Sequence, residues 1–138
     1  APANYFELLS LAAPVVRSVD PTRLVLNAAT RSIQQNYPNT LNYNRELQRL
    51  GAPQLVDIWN IHYYGKQYEN VVRGGGVAEF LNSLQKPIWV TESGEQGPNQ
   101  QLAYAETVWP FLREQVPSIE RFYWYEFASA PGGFGLKS

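Results

Sequence analysis

Residues Lys86–Gly97 read KPIWVTESGEQG, and this stretch decides how the rest of the chain is interpreted. A proline precedes the apolar run Ile88–Val90, which leads to Glu92 and then breaks at Gly94. A short apolar run bounded by turn residues is typical of a parallel strand that is covered on both faces. A carboxylate there costs several kcal/mol unless it is hydrogen-bonded, paired or open to a cleft. The pattern therefore predicts a buried strand that delivers Glu92 to its C-terminal end.

Composition narrows the class of protein. The 138 residues are 44% hydrophobic, which is enough for one core, and we expect residues 1–138 to lie in one domain. The net charge of −1 comes from 11 basic and 12 acidic residues without a like-charge block, which argues against nucleic acid and anionic membranes as partners. There is no cysteine, which excludes disulfides and thiolate catalysis. No apolar run approaches the ~20 residues that span a bilayer.

Predicted strands and helices alternate along the whole chain. Strand midpoints recur about every 30 residues, which is the length of one βα unit, and eight such units need about 250 residues. The chain therefore predicts an α/β fold with four parallel strands, half of a (βα)8 TIM barrel. A doubly wound open sheet also fits the alternation, although no strand is followed by a G-x-G-x-x-G turn. The predicted strands are Arg23–Asn27, Leu55–Tyr64, the strand that ends at Glu92, and Ile119–Phe127.

Polar and aromatic side chains gather near the C-terminal ends of these strands, where barrel enzymes build their active sites. Asn60, His62 and Tyr64 have the same parity, so a regular strand presents them on one face. Trp124 and Glu126 occupy the corresponding region of the last strand. The residues alone leave structural roles open: His62 as a hydrogen-bonded core histidine, Trp124 as barrel core, and Glu126 as a helix-capping group rather than a second carboxylate.

Three ordered motifs then resemble a known family. The motifs are HYYG at His62–Gly65, PIWVTESG at Pro87–Gly94, and FYWY at Phe122–Tyr125 with FGL at Phe134–Leu136. Together they resemble the clan A retaining glycoside hydrolases, the cellulase-like (βα)8 enzymes. The resemblance implies that the four predicted strands are the fifth to eighth of a barrel, so that the chain is the C-terminal half of a catalytic domain.

The resemblance also implies roles for individual residues. Glu92 is similar to the catalytic nucleophile. His62 and Tyr64 are similar to the pair that binds sugar and orients the nucleophile. Trp124 is similar to the aromatic platform under the sugar, and we include Asn60 and Glu126 among the substrate-binding candidates. The acid/base is implied to be a glutamate upstream of Ala1, so this chain alone is expected to be inactive.

The implied reaction is double displacement on a β-linked glycan of the β-glucan or xylan type. It needs neither a cofactor nor a metal, and no His/Asp/Glu cluster has metal-ligand spacing. The implied partners are a carbohydrate and either a complementary N-terminal half-barrel or a second copy; the class favours a secreted or extracellular location. Loops at residues 30–40 and 65–76 are expected to line distal subsites. Two alternatives stay open: a non-catalytic carbohydrate-binding half-barrel, and an assembly module.

Overall fold

A computed structural model describes residues 1–35, 39–65, 74–129 and 133–137. Parts of both predicted subsite loops, residues 36–38 and 66–73, lie outside the described residues. The helices and strands alternate as the sequence predicts. In chain order they are α1 (Pro2–Val19), α2 (Thr40–Leu50), α3 (Ala52–Leu55), β1 (Trp59–Tyr64), α4 (Val77–Ser83), β2 (Ile88–Gly94), α5 (Pro98–Gln115) and β3 (Ile119–Trp124).

The three strands form one parallel sheet in the order β1-β2-β3. An isolated parallel bridge between Leu26 and Ile58 places the segment before β1 at the free edge of that strand. The sheet order thus follows the chain order, as in a barrel, whereas a doubly wound sheet reverses direction at a switch point. The predicted α/β fold, a parallel sector of a (βα)8 barrel, is confirmed.

The first predicted strand, Arg23–Asn27, is the main difference, because among the described residues it makes a single bridge rather than a ladder. The buried side chain of Asn27 replaces a backbone partner: its Oδ1 accepts from the Asn60 N–H at 2.7 Å, and its Nδ2 donates to the Asn60 carbonyl at 3.1 Å. A side-chain amide offers one donor and one acceptor, as a peptide group does. The edge of β1 is therefore satisfied here without a paired strand.

Two predicted strand boundaries also shift. The predicted strand Leu55–Tyr64 begins only at Trp59, because the short helix α3 occupies Ala52–Leu55. Gly51 separates this helix from α2 in the left-handed conformation, with φ of 98°, which favours glycine after a helix C-terminus. The last predicted strand ends at Trp124 rather than Phe127.

Helices cover one side of the sheet. Trp59, Ile61 and Tyr63 alternate along β1 as its buried side, and the phenol of Tyr104 in α5 donates to the Tyr63 carbonyl at 2.8 Å. At the start of β1, Arg17 of α1 forms an ion pair with Asp57 at 3.0 Å. The other side of β1 carries the partly exposed residues of the alternation, and we call it the open side of the sheet.

Helix α1 has an apolar face that stays mostly exposed in the described part of the chain. Its members are between 61% and 82% exposed and recur every three or four residues, which puts them on one side of the helix. We call them the outer stripe: Leu8, Leu11, Val15 and Val19. The opposite side of α1 buries Leu9 and Ala13.

None of the helices in the described ranges combines the length and the apolar character needed to cross a membrane.

Candidate active site

An irregularity in β2 turns Glu92 toward the open side. The register pairs Ile61 with Val90 and then His62 with Glu92, so Thr91 is an extra residue that has no Cα partner in β1. Consequently Thr91 and Glu92 are both partly exposed between the buried Val90 and Ser93. In a regular strand, where side chains alternate, Glu92 would point to the same side as Val90, toward the helices.

Two side chains of β1 contact the Glu92 carboxylate. The hydroxyl of Tyr64 donates to Oε2 at 2.5 Å, the length of a charge-assisted O–H···O⁻ bond. Nδ1 of His62 lies 3.3 Å from the same oxygen, which is an electrostatic contact rather than a hydrogen bond of normal length. The carboxylate side chain remains 39% exposed, whereas that of His62 is 17% exposed. A carboxylate at a strand end is thus hydrogen-bonded by Tyr64 and flanked by His62 while it stays open to solvent.

Burial and charge act in opposite directions on His62. Desolvation lowers its pKa below the ordinary 6.5, and the Glu92 charge and a hydrogen bond to the backbone of Arg31 only partly offset that effect. The pKa of Tyr64 is raised, first by burial and then by its hydrogen bond to Glu92. At neutral pH the site therefore contains a neutral imidazole beside the carboxylate and a protonated phenol that donates to it.

His62 is the only histidine in the chain, so its imidazole can be titrated by NMR without assignment ambiguity. We expect a pKa below 6.5, and a further decrease in Glu92→Gln because that change removes a charge that favours the imidazolium. The unfolded chain then binds more protons than the folded one between the folded pKa and 6.5. The contribution of His62 to the free energy of unfolding should therefore decrease as the pH falls through 6.5 and level off below the folded pKa.

The control for this titration is Glu95→Gln, because the Glu95 carboxylate accepts from the backbone of Gln96 in the next loop. That variant should leave the His62 pKa unchanged. A wild-type pKa above 6.5, or a rise in Glu92→Gln, would contradict the described environment of the imidazole.

Asn60 lies on the same side of β1 as His62 but is engaged in the sheet itself. Its Oδ1 accepts from the Thr91 hydroxyl at 2.6 Å, and its Nδ2 donates to the Asn27 carbonyl at 3.3 Å. These bonds hold the extra residue of β2 against β1. Asn60 is thus placed beside the site rather than against the Glu92 carboxylate.

The structure places Trp124 toward the helices. Its ring centroid lies 5.8 Å from Tyr104 and 6.0 Å from Trp109, both of α5, and its Nε1 donates to the Phe134 carbonyl at 2.8 Å. In the described part of the chain, no hydrogen bond or ring contact is found between Trp124 and Glu92, His62 or Tyr64. Its predicted role as a sugar platform stays a prediction.

Tyr125, which the sequence analysis did not single out, lies closer to the site. Its ring centroid is 6.3 Å from that of Tyr64, its N–H donates to the Ser93 carbonyl at 2.8 Å, and the residue is 42% exposed. Phe134 packs edge-on against both tyrosines. One signal in the sequence could have found it: neighbouring residues of a strand point to opposite sides, so Trp124 and Tyr125 cannot both face the site. In the structure Phe122, which has the parity of Trp124, packs on Trp109 of α5.

Glu126 follows β3 and is partly exposed, and its backbone carbonyl accepts from the Leu136 N–H at 3.1 Å. That bond ties the C-terminal segment to the end of the strand. The role of the Glu126 carboxylate, in binding or in structure, stays a prediction. Over the described residues, no three His, Asp or Glu side chains come together as metal ligands.

Comparisons with known proteins agree with this architecture. A family model described as glycosyl hydrolase catalytic core matches residues 12–135. A search of curated proteins found no significant match. Among solved structures, the chain resembles the endo-1,4-beta-D-mannanase from Thermotoga petrophila RKU-1, solved with maltose and glycerol, with a TM-score of 0.56 and 17% identity.

The structural match covers 89% of this chain and 40% of the mannanase chain, so the chain spans well under half the length of that protein. At 17% identity the likeness concerns the fold alone. The predicted resemblance to cellulase-like glycoside hydrolases is confirmed by the family match, which extends over most of the chain. With a parallel sheet built as a sector of a (βα)8 barrel and a matching family model over residues 12–135, the chain belongs to the glycosyl hydrolase catalytic core family.

Proposed function

We propose that residues 1–138 are the C-terminal half of the catalytic domain of a retaining glycoside hydrolase, with Glu92 as nucleophile. The observation that carries the proposal is the contact set of Glu92: a carboxylate on the open side of the sheet that accepts from Tyr64 and lies beside His62. Both contacts fall on Oε2, which leaves Oε1 for attack on the anomeric carbon. Retaining hydrolysis requires such a carboxylate in its ionised form.

The neighbouring side chains suit the first displacement step. A bond from Tyr64 to Oε2 fixes the orientation of the carboxylate, so Oε1 is pre-positioned rather than free to rotate. As the glycosyl ester forms, the carboxylate loses its charge and the leaving oxygen takes a proton from the acid/base. We propose that this second carboxyl, ~5–5.5 Å away, belongs to the complementary half of the barrel. The isolated chain should therefore be inactive.

We propose that sugar binds on the open side with Tyr125 as an exposed aromatic surface beside Tyr64. The resemblance implies Trp124 as the platform, although its ring packs toward α5. An exposed tyrosine next to Tyr64 can stack on the apolar face of a pyranose. Asn60 and Glu126 complete the proposed binding set. β-Glucan and xylan are the proposed substrates, and the mannanase likeness adds β-1,4-mannan to those worth assaying. A secreted or extracellular location is proposed from the class.

The test of the reaction is the configuration of the first product. We expect the intact protein to release the β-anomer from a β-linked glycan, because two displacements at one carbon restore its configuration. Proton NMR during the first minutes of hydrolysis separates this product from the mutarotated mixture. Release of the α-anomer would contradict a nucleophilic role for Glu92. Saturable glycan binding without turnover would instead favour the non-catalytic alternative.

We propose that the outer stripe of α1 is covered by the complementary half-barrel. Four aliphatic side chains exposed on one helix face form an apolar patch whose contact with water is unfavourable, and such patches are rare on stable monomers. The isolated chain should therefore self-associate in sedimentation at micromolar concentration, and Leu11→Lys with Val15→Lys should reduce that association.

Glu7→Lys is the matched control, since Glu7 is an exposed residue of α1 outside the stripe. It adds a lysine to the same helix and should leave the sedimentation profile unchanged. A monodisperse wild-type monomer would refute the proposed coverage.

A further inference from the structure

Five residues of the loop before α2 run along the free edge of β1 beside the site. The N–H of Ile33 donates to the His62 carbonyl at 3.3 Å, and the Ile33 side chain is fully buried. The His62 side chain in turn has a hydrogen bond to the backbone of Arg31. The same loop ends at Gln35, which reaches Tyr64. Residues 31–35 thus contact both side-chain neighbours of Glu92.

Gln35 binds the main chain of Tyr64 with both ends of its carboxamide. Its Oε1 accepts from the Tyr64 N–H at 2.9 Å, and its Nε2 donates to the Tyr64 carbonyl. Together with the pairing of Asn27 and Asn60, this gives two side-chain amides that stand in for a neighbouring strand. Asn60 lies near the start of β1, whereas Tyr64 is its last residue. No paired strand continues along the free edge of β1 beyond Tyr64 in the described part of the chain.

The position of Tyr64 matters because its hydroxyl bond to Glu92 is short. A displacement of the Tyr64 main chain therefore lengthens this bond from 2.5 Å toward the ordinary O–H···O length and weakens it. The other edge of Tyr64 is held through Gly94, whose carbonyl accepts from the Gly65 N–H at 3.0 Å. Gln35 is therefore a group that holds the main chain of Tyr64 from the free edge.

From this geometry we propose that Gln35 is a positioning residue of the site: through the main chain of Tyr64 it holds the phenol against Oε2 of Glu92. The inference rests on the proposed hydrolysis for its catalytic consequence, but its structural part does not. A carboxamide is needed, because glutamate keeps the acceptor and loses the donor, so that an oxygen faces the Tyr64 carbonyl. Leucine at this position removes both bonds.

The first experiment follows the phenol itself. In protein labelled with ¹³C at the tyrosine ζ carbon, the Tyr64 resonance, assigned by its loss in Tyr64→Phe, reports the bond to the carboxylate. We expect Gln35→Leu and Gln35→Glu to shift this resonance in the direction that Glu92→Gln shifts it. Gln48→Leu is the matched control, because the Gln48 amide donates to Ser83 Oγ away from the site, and it should leave the signal in place. An unshifted Tyr64 signal in folded Gln35→Glu would overturn the proposal.

The second experiment measures turnover of an aryl β-glycoside by the intact protein. Gln35→Leu should lower kcat about tenfold to hundredfold with KM within twofold, and Gln35→Leu combined with Tyr64→Phe should be no slower than Tyr64→Phe alone. Additive losses would overturn the positioning role. If Tyr64 shifts as expected but the intact protein cleaves no glycoside, the proposed function fails while the placement of Tyr64 by Gln35 stands. If Gln35→Leu does not fold, the nearly isosteric Gln35→Glu carries both tests.

Discussion

Glu92→Gln in the intact protein is expected to lower the turnover of an aryl β-glycoside by at least about three orders of magnitude while leaving sugar affinity nearly unchanged. The carboxamide keeps the size of the side chain and an acceptor for the Tyr64 hydroxyl, so the site should keep its shape. It lacks the nucleophilic oxygen that forms the glycosyl ester. Single-turnover kinetics and glycan titration by calorimetry measure the two quantities separately.

Glu92→Ala sharpens this test, because it opens a space that azide can enter. Azide should then attack the anomeric carbon in place of the carboxylate and restore turnover of a substrate with a good leaving group. The glycosyl azide product should be the α-anomer, because only one displacement has occurred. A β-glycosyl azide would instead identify Glu92 as the acid/base.

Glu126→Gln is the matched control, because the Glu126 carboxylate follows β3, the strand next to that of Glu92. It should retain turnover within about tenfold, since binding groups contribute less than the nucleophile. If Glu126→Gln abolished hydrolysis and Glu92→Gln did not, the proposed assignment of the nucleophile would be wrong.

Tyr64→Phe is expected to lower kcat about 10- to 100-fold with little change in KM. A hydrogen bond to a charged group contributes about 1.5–3 kcal/mol, and each 1.36 kcal/mol is a factor of ten in rate. The ring of Tyr64 also packs on Tyr125 and Phe134, and phenylalanine preserves those contacts. The loss should therefore come from the orientation of Glu92 rather than from a collapsed site.

Steady-state kinetics on the same aryl β-glycoside separates kcat from KM, and thermal unfolding checks that the variant is folded. Tyr123→Phe is the control, because Tyr123 lies in β3, two strands from Tyr64, and packs on Trp89 rather than on the site. It should turn over like the wild type. A KM effect as large as the kcat effect would indicate that Tyr64 binds sugar rather than orients the nucleophile.

The barrel architecture was predictable because its signals are local. Apolar runs ending at Tyr64 and Glu92 recur with the spacing of a βα unit, and that period survives errors of several residues at each boundary. The first segment was not predictable as a single bridge. Arg23–Asn27 has the composition of a strand. The main chain of Asn60 in β1, however, pairs with the side-chain amide of Asn27 rather than with a backbone group, and strand propensity does not indicate such a replacement.

The neighbourhood of Glu92 was predictable in part. His62 and Tyr64 reach it because β1 is regular, so parity along that strand is a reliable guide. Parity also held along the last strand, but it does not say which side faces the site: Trp124 packs with Phe122 on the helix side, and Tyr125 lies next to Tyr64. The contacts of Gln35 could not be inferred either, because they join a loop residue to a main chain 29 residues away.

The extra residue in β2, Thr91, limits how a catalytic carboxylate can be designed into another parallel sheet. A carboxylate grafted at the equivalent position of an ordinary parallel strand would face the helical layer, buried and uncompensated. The portable unit is instead the dipeptide Thr91–Glu92 together with the amide of Asn60 that anchors the threonine hydroxyl. Directed evolution of new barrel enzymes should accordingly screen for length variation at the ends of strands. One inserted residue there moves a reactive side chain from one side of the sheet to the other.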